Sequence, residues 1–369
     1  MPTSISLFPF RLALWAGVLG AILLGFAFPL KMIAAEPPLQ IRVVIVTTFE
    51  VANDSGDLPG EFQNWVERYP LPDVLPFPQG YHPLRYNAKD HVLGIVTGAG
   101  KASAAASIMA LGLDPRFDFS RAYWILAGIA GIDPNRASIG SAVWASYIVD
   151  GDLAYEIDGR EIPADWPTGI VAYDRAMPFE QPAPPAVSDN GILAYELNNG
   201  LANWAYRLTH NVALADDDKL KSARAGYPGS PNAQRPPFVL KGDSLTADRF
   251  WIGARMTDWA ERWVSYWTKG EGHFTTSAEE DSAYLQALTF LSHAGRVDLA
   301  RALDLRTGSD FTAPPNGTSA AALLKSEATG NYAAYAEAIE NAYLVASPVV
   351  RELTQHWSVY QQTVPAAKP

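Results

Sequence analysis

The sequence predicts an α/β fold, and three observations carry the prediction. Ile41 to Thr48 (IRVVIVTT) is a β-branched run ending at Phe49-Glu50, as a buried first strand reads. His91 to Val96 is a second short strand that breaks at Thr97-Gly98-Ala99-Gly100 and leads into the alanine-rich helix Lys101 to Leu113. Ala122 to Ala127 is a third strand ending at a second small-residue turn, Gly128-Ile129-Ala130-Gly131, and Gly140 to Val149 is a fourth. Strand, glycine turn and helix in succession imply parallel crossovers, which favours an α/β sheet over a sandwich.

The other elements follow in order. Residues 53–60 (NDSGDLPG) are a turn-rich loop. Residues 159–187 and 225–238 are rich in Pro, Gly and Ala, and read as surface insertions flanking a helix from Gly191 to His210, within one insertion over about 155–238. Order returns at Phe238 to Leu240. A Trp-rich helical stretch covers Phe250 to Trp267, a helix Glu279 to Ser292, a strand Ala302 to Arg306, and two helices Ser319 to Lys325 and Tyr332 to Leu344. No internal repeat or heptad array interrupts the pattern.

Composition narrows the function. The 369 residues hold 28 Lys+Arg against 39 Asp+Glu and no cysteine, which excludes a disulfide scaffold and a cysteine metal site. A net charge of −11 argues against a nonspecific grip on nucleic acid or an anionic membrane. Arg11, the uncharged stretch Leu12 to Leu30, Lys31 and the small residues before Glu36 read as an export signal over residues 1–35, cleaved near Ala35. That places the remaining domain, 36–369, in the periplasm or outside the cell; the alternative is an uncleaved anchor over residues 12–30.

The chemistry is carried by glycine turns and acids. Gly98 and Gly100 open a helix whose first amides favour an anion or a hydroxyl, and Gly128 and Gly131 would line the same sheet edge. The spacing matches neither a P-loop nor G-x-G-x-x-G, so a plain βα turn is the competing reading. Glu279-Glu280-Asp281 opens a helix, where charge complements the dipole or one carboxylate turns inward to a vicinal diol. Asp310 follows the strand 302–306, as a functional side chain or as a loop former. The six histidines show no metal-ligand spacing and no G-x-S-x-G is present, so neither a metal nor a serine nucleophile is expected. Trp251, Trp259, Trp263 and Trp267 read as core, as an oligomer contact, or as a wall for a base.

Six segments in order, VVIVTTFE, TGAGKASAAASIMAL, AYWILAGIAGIDPNRASIGSAVWASYIVDGDLAYEID, LKGDSLTADRFWIG, TTSAEEDSAYLQAL and LRTGSDF, resemble the nucleoside phosphorylase and nucleosidase superfamily, and within it the purine nucleoside permease family. The resemblance covers most of residues 40–345. It implies a twisted mixed sheet flanked by helices, a homo-oligomer, and a purine nucleoside as ligand, with phosphate as a conceivable cosubstrate. Carried over by position, it implies that Gly98 and Gly100 lie near the nucleophile or phosphate and that Gly128 and Gly131 face ribose and base. Glu280 would hold the ribose hydroxyls, Asp310 protonate the purine N7, and Glu50, within one or two residues of register, orient water. Two departures are visible: Glu279 stands where a hydrophobic residue usually precedes the ribose glutamate, and Ile125-Leu126-Ala127 stands where phosphorylases place an arginine. Cleavage of the N-glycosidic bond is the expected reaction. The alternative is an exported receptor that passes nucleosides to a separate membrane carrier.

Overall fold

The computed structural model describes residues 37–189 and 191–366. The chain divides into two units, Met1–Pro37 and Pro38–Pro369, and all that follows concerns the second. The expected export signal and the alternative anchor lie outside the described residues. Among the described residues no helix is long and apolar enough to cross a membrane.

Ten strands form the main sheet: β1 Val43–Thr47, β2 Asp73–Leu75, β3 Leu84–Asn87, β4 Val92–Val96, β5 Tyr123–Ile132, β6 Ala142–Asp150, β7 Ala194–Glu196, β8 Val239–Thr246, β9 Phe274–Ala278 and β10 Ala302–Phe311. Their order is β7-β6-β8-β9-β5-β1-β4-β3-β2. β10 pairs in parallel with β5 and antiparallel with β6, so β5, β9, β8, β6 and β10 close into a ring. Both parallel and antiparallel pairs occur, which makes the sheet mixed, as expected. β1 is parallel to β4 and to β5, and every residue of it is buried. Its β-branched composition suits a central strand covered on both faces.

The helices that matter below are α1 Gln63–Arg68, α2 Lys101–Gly112, α3 Asn199–Thr209, α4 Asp218–Ala225, α5 Ala254–Trp267, α6 Asp281–His293, α7 Ala320–Glu327 and α8 Tyr335–Gln355. One apolar cluster packs α2 and α6 against one face of the sheet; another packs α3 and α8 against the other. Trp259, Trp263 and Trp267 of α5 are buried in a third, with Phe274 and Leu245, so the tryptophan stripe is core.

Several expected boundaries move. Gly128-Ile129-Ala130-Gly131 is not a turn: β5 runs through it to Ile132. Asp310 is not in a loop, because β10 continues to Phe311 through a bulge between Gly308 and Asp310. The helix expected from Gly191 begins at Asn199, where Asn198 caps it, and Ala194–Glu196 is the edge strand β7. Residues 155–238 thus reach into the core through α3 as well as covering the surface. α8 passes Leu344 and carries Pro348 inside it as far as Gln355.

Candidate functional site

Register brings three strands together at one point. Gly131 of β5 stands opposite Ser277 of β9 on one side and Asp310 of β10 on the other. The β10 bulge inserts one extra residue, and bulges redirect the side chains around them. Asp310 lines a cavity of about 290 Å³ together with Glu280, Glu279, Glu61, Ala99 and Gly131. The two carboxylates expected to act together, 30 residues apart in sequence, therefore border one hollow. Larger surface clefts exist, one of about 640 Å³ beside Phe179 and Arg262. None of these gathers buried acids as this cavity does, and chemistry favours the smaller one.

Arg306 organises the floor. Its side chain lies on β10, is 1% exposed, and meets three carboxylates. Nε donates to Asp281 Oδ1 at 2.8 Å, Nη2 to Glu280 Oε2 at 2.9 Å, and Nη1 stands 3.8 Å from Glu61 Oε1. Nη1 also donates to the Ile129 carbonyl at 3.0 Å. Burial works against the guanidinium's charge, but Asp281, Glu280, Glu61 and Asp304 more than restore it, so its pKa is raised.

Glu280 sits at the start of α6 and is 4% exposed. Its other oxygen, Oε1, accepts from the Gly100 amide at 3.0 Å, which ties the first glycine turn to the site. Gly100 holds φ +81°, a conformation that glycine adopts freely. Gly98 shares this turn, and neither glycine lines the cavity; Ala99 between them does. Gly128 lies beneath it: a Cβ there would come within 2.4 Å of Glu61 Oε1 and 2.6 Å of Arg306 Nη1. A side chain at 128 would collide with both, which is why the strand carries glycine there.

Asp310 is 3% exposed, and burial pushes its pKa to about 6 although the Ser309 hydroxyl donates to Oδ1 at 2.7 Å. Glu327 of α7 has its pKa pushed up to about 8, by burial and by Asp310. Glu279, at the cavity wall, is raised to about 7 by burial and by Glu280. Asp304 is wholly buried, accepts no hydrogen bond among the described residues, and is held far above the usual carboxylate range by burial and by Asp281.

Glu50 does not reach the cavity. Its carboxylate accepts from the backbone amides of Val51, Gly60, Phe62 and Gln63, folding residues 51–63 back onto the end of β1. Glu61 arrives at the wall through that fold. Its Oε2 accepts from the Thr48 amide at 2.7 Å and hydroxyl at 3.0 Å, and Oε1 from the Ile129 amide at 2.7 Å. Burial raises its pKa to about 7, with Arg306 opposing and Glu280 adding to the rise. Trp251 lines a small adjoining hollow of about 20 Å³ with Asp310 and Glu279 rather than the main cavity, and packs on Trp259 and Phe274.

Four aromatic rings border the cavity: Phe49, Tyr335, Tyr332 and Phe250, with successive centroids 6.3, 6.5 and 6.3 Å apart. Such walls suit a planar aromatic ligand. Glu61, Arg306 and these rings were not singled out from sequence. Arg306 did leave a signal, an arginine ending an apolar strand. Glu61 left none beyond following Pro59-Gly60. Among the described residues, no group of three or more His, Cys, Asp or Glu side chains could hold a metal ion.

The sequence pattern of the purine nucleoside permease family matches residues 40–365. The chain belongs to that family. Among permease relatives, a probable purine nucleoside permease of Schizosaccharomyces pombe is 36% identical over 286 residues, covering 76% of this chain and 80% of the relative. A purine nucleoside permease of Candida albicans is 29% identical over 321 residues, covering 86% and 76%. Among solved structures, a futalosine hydrolase of Helicobacter pylori superposes with a TM-score of 0.50 at 12% identity, covering 85% of this chain and 98% of the other. A 5′-methylthioadenosine/S-adenosylhomocysteine nucleosidase of Colwellia psychrerythraea, solved with adenine, gives 0.50 at 16%, covering 85% and 96%. At these identities the structural likenesses bear on the fold alone: this permease-family chain has a nucleosidase-like α/β architecture.

Proposed function

We propose that the cavity binds a purine nucleoside and cleaves its N-glycosidic bond. The observation that carries this is the meeting of Glu280 and Asp310 at one hollow walled by aromatic rings. Bond cleavage builds positive charge on the sugar and negative charge on the departing base, so it needs carboxylates at the sugar and an acid at the base. Glu280, held by Arg306 and the Gly100 amide, would accept from ribose hydroxyls. Asp310, with a pKa near 6, retains a useful protonated fraction close to neutrality and can donate to the purine N7. Glu61, raised to about 7, takes the role that the family resemblance gave to Glu50, facing the nucleophile.

The relatives' own name favours a second reading, capture of nucleosides for transport without turnover. Incubating purified protein with inosine or adenosine and measuring free base decides between them. Release of hypoxanthine or adenine supports cleavage; saturable binding without release supports capture; neither overturns both.

A further inference from the structure

The start of α2 offers the backbone amides at which an anion would be expected to sit, yet the chain's own carboxylates already fill it. Gly100, at the head of the helix, supplies no side-chain cap. The cap comes from elsewhere: Asp248 Oδ1 accepts from the Lys101 amide at 2.7 Å, and Glu280 Oε1 from the Gly100 amide at 3.0 Å. Asp248 is itself held in place, its amide donating to Asp152 Oδ2 at 2.7 Å. The lysine that could have answered a phosphate is spent as well, since Lys101 Nζ lies 3.0 Å from Asp150 Oδ2 and 2.8 Å from Asp152 Oδ2. Inside the cavity, Glu61, Glu279, Glu280 and Asp310 face a single cation, Arg306, which three carboxylates already engage.

We infer that Asp248 acts as a built-in anion that makes the site refuse inorganic phosphate and phosphorylated ligands, so that the substrates are unphosphorylated nucleosides and the nucleophile is water. This rests on the proposed cleavage and names its cosubstrate. A phosphate carries up to two negative charges and would have to displace Asp248 and Glu280 from their amides while approaching four acids. Water has no such cost. In the step, the water oxygen bonds to C1′ as the C1′–N9 bond breaks, and its proton goes to the Glu61 carboxylate. The electron pair left on the base is quenched by the Asp310 proton at N7. Free ribose and purine leave, and the proton on Glu61 returns to Asp310 through solvent, so the cycle balances as nucleoside plus water.

Two titrations test the inference independently of turnover. Thermal melting is followed with sodium phosphate against sodium chloride of equal ionic strength, for the wild-type protein, Asp248→Ala and Asp248→Asn. The wild type shows no saturable phosphate effect. Asp248→Ala, which bares the Lys101 amide, or Asp248→Asn, which keeps the shape and removes the charge, gains a saturable rise in Tm. Competition against adenosine places adenosine 5′-monophosphate at least about tenfold weaker than adenosine in the wild type. Saturable phosphate binding by the wild type, equal binding of nucleoside and nucleotide, or no gain in either variant overturns the inference. Absence of all nucleoside binding instead overturns the proposed function, while the phosphate arm still reads.

Discussion

Replacing Asp310 by Asn should move activity and stability in opposite directions. The carboxyl is 3% exposed, and burial lifts its pKa from 3.8 to about 6. Because burial penalises only the ionised form, Asp310 does not detract from stability below about pH 4. The penalty grows as pH rises through the interval up to about 6, then levels off at about 3 kcal/mol. Asparagine has the same shape and no charge, and its carbonyl can accept from Ser309, so Asp310→Asn escapes the penalty. At pH 8 its Tm should equal or exceed that of the wild type. It cannot give a proton to the base, so turnover should fall by roughly 100- to 10,000-fold. Free purine is measured by chromatography under saturating nucleoside, and thermal melting is followed at pH 4 and pH 8. Unchanged turnover would refute the assignment, and so would a loss of turnover accompanied by a matching loss of folded protein.

Other consequences follow from the same site. Base release should trace a narrow bell in pH, with limbs near 6 and near 7, because Asp310 must keep its proton while Glu61 must lose one; a flat profile from pH 5 to 8 would contradict those roles. Glu61→Gln should abolish base release with the fold intact, whereas Glu50→Ala should lower Tm first, since it strands four backbone amides at about 1–3 kcal/mol for the group. The reverse pattern in paired melting and activity measurements would return the nucleophile-facing role to Glu50. Arg306→Met leaves Glu61, Glu280 and Asp281 buried without their cation and should cost about 3–5 kcal/mol in denaturant unfolding; a change under about 1 kcal/mol would show the three acids are neutralised otherwise. Asp304→Leu removes a buried carboxyl that accepts no hydrogen bond, so its midpoint should stay or rise, and a fall would point to a partner for Asp304.

The sequence made some features readable because they depend on neighbours along the chain. β1, the glycine turn and α2 are each encoded locally, by a β-branched run, two glycines and an alanine-rich run. Features that depend on distant residues were hidden. Gly128 to Gly131 reads as a turn, since glycine normally ends strands; here β5 continues through it, and the glycines mark close approaches, of Glu61 and Arg306 at Gly128 and of Asp310 and Thr312 at Gly131. Asp310 looks like a loop residue because the β10 bulge depends on its pairing with the distant strand β5. The exchange of Glu50 for Glu61 has the same origin. Both are glutamates near the end of β1, and only the closed loop 51–60 decides which one meets Arg306. The sequence alone ends α8 at Leu344, yet its apolar face packs on β10 and β5 well beyond Pro348, and burial of Val349, Val350 and Leu353 outweighs the proline's lost hydrogen bond.

The most direct measurement is a crystal structure of the protein with a purine nucleoside analogue whose glycosidic bond cannot break. The account predicts the sugar hydroxyls on Glu280, the purine N7 within hydrogen-bond reach of Asp310, and the base among Phe49, Phe250, Tyr332 and Tyr335. A ligand seated instead in the larger cleft beside Phe179 and Arg262, with Glu280 and Asp310 untouched, would contradict it.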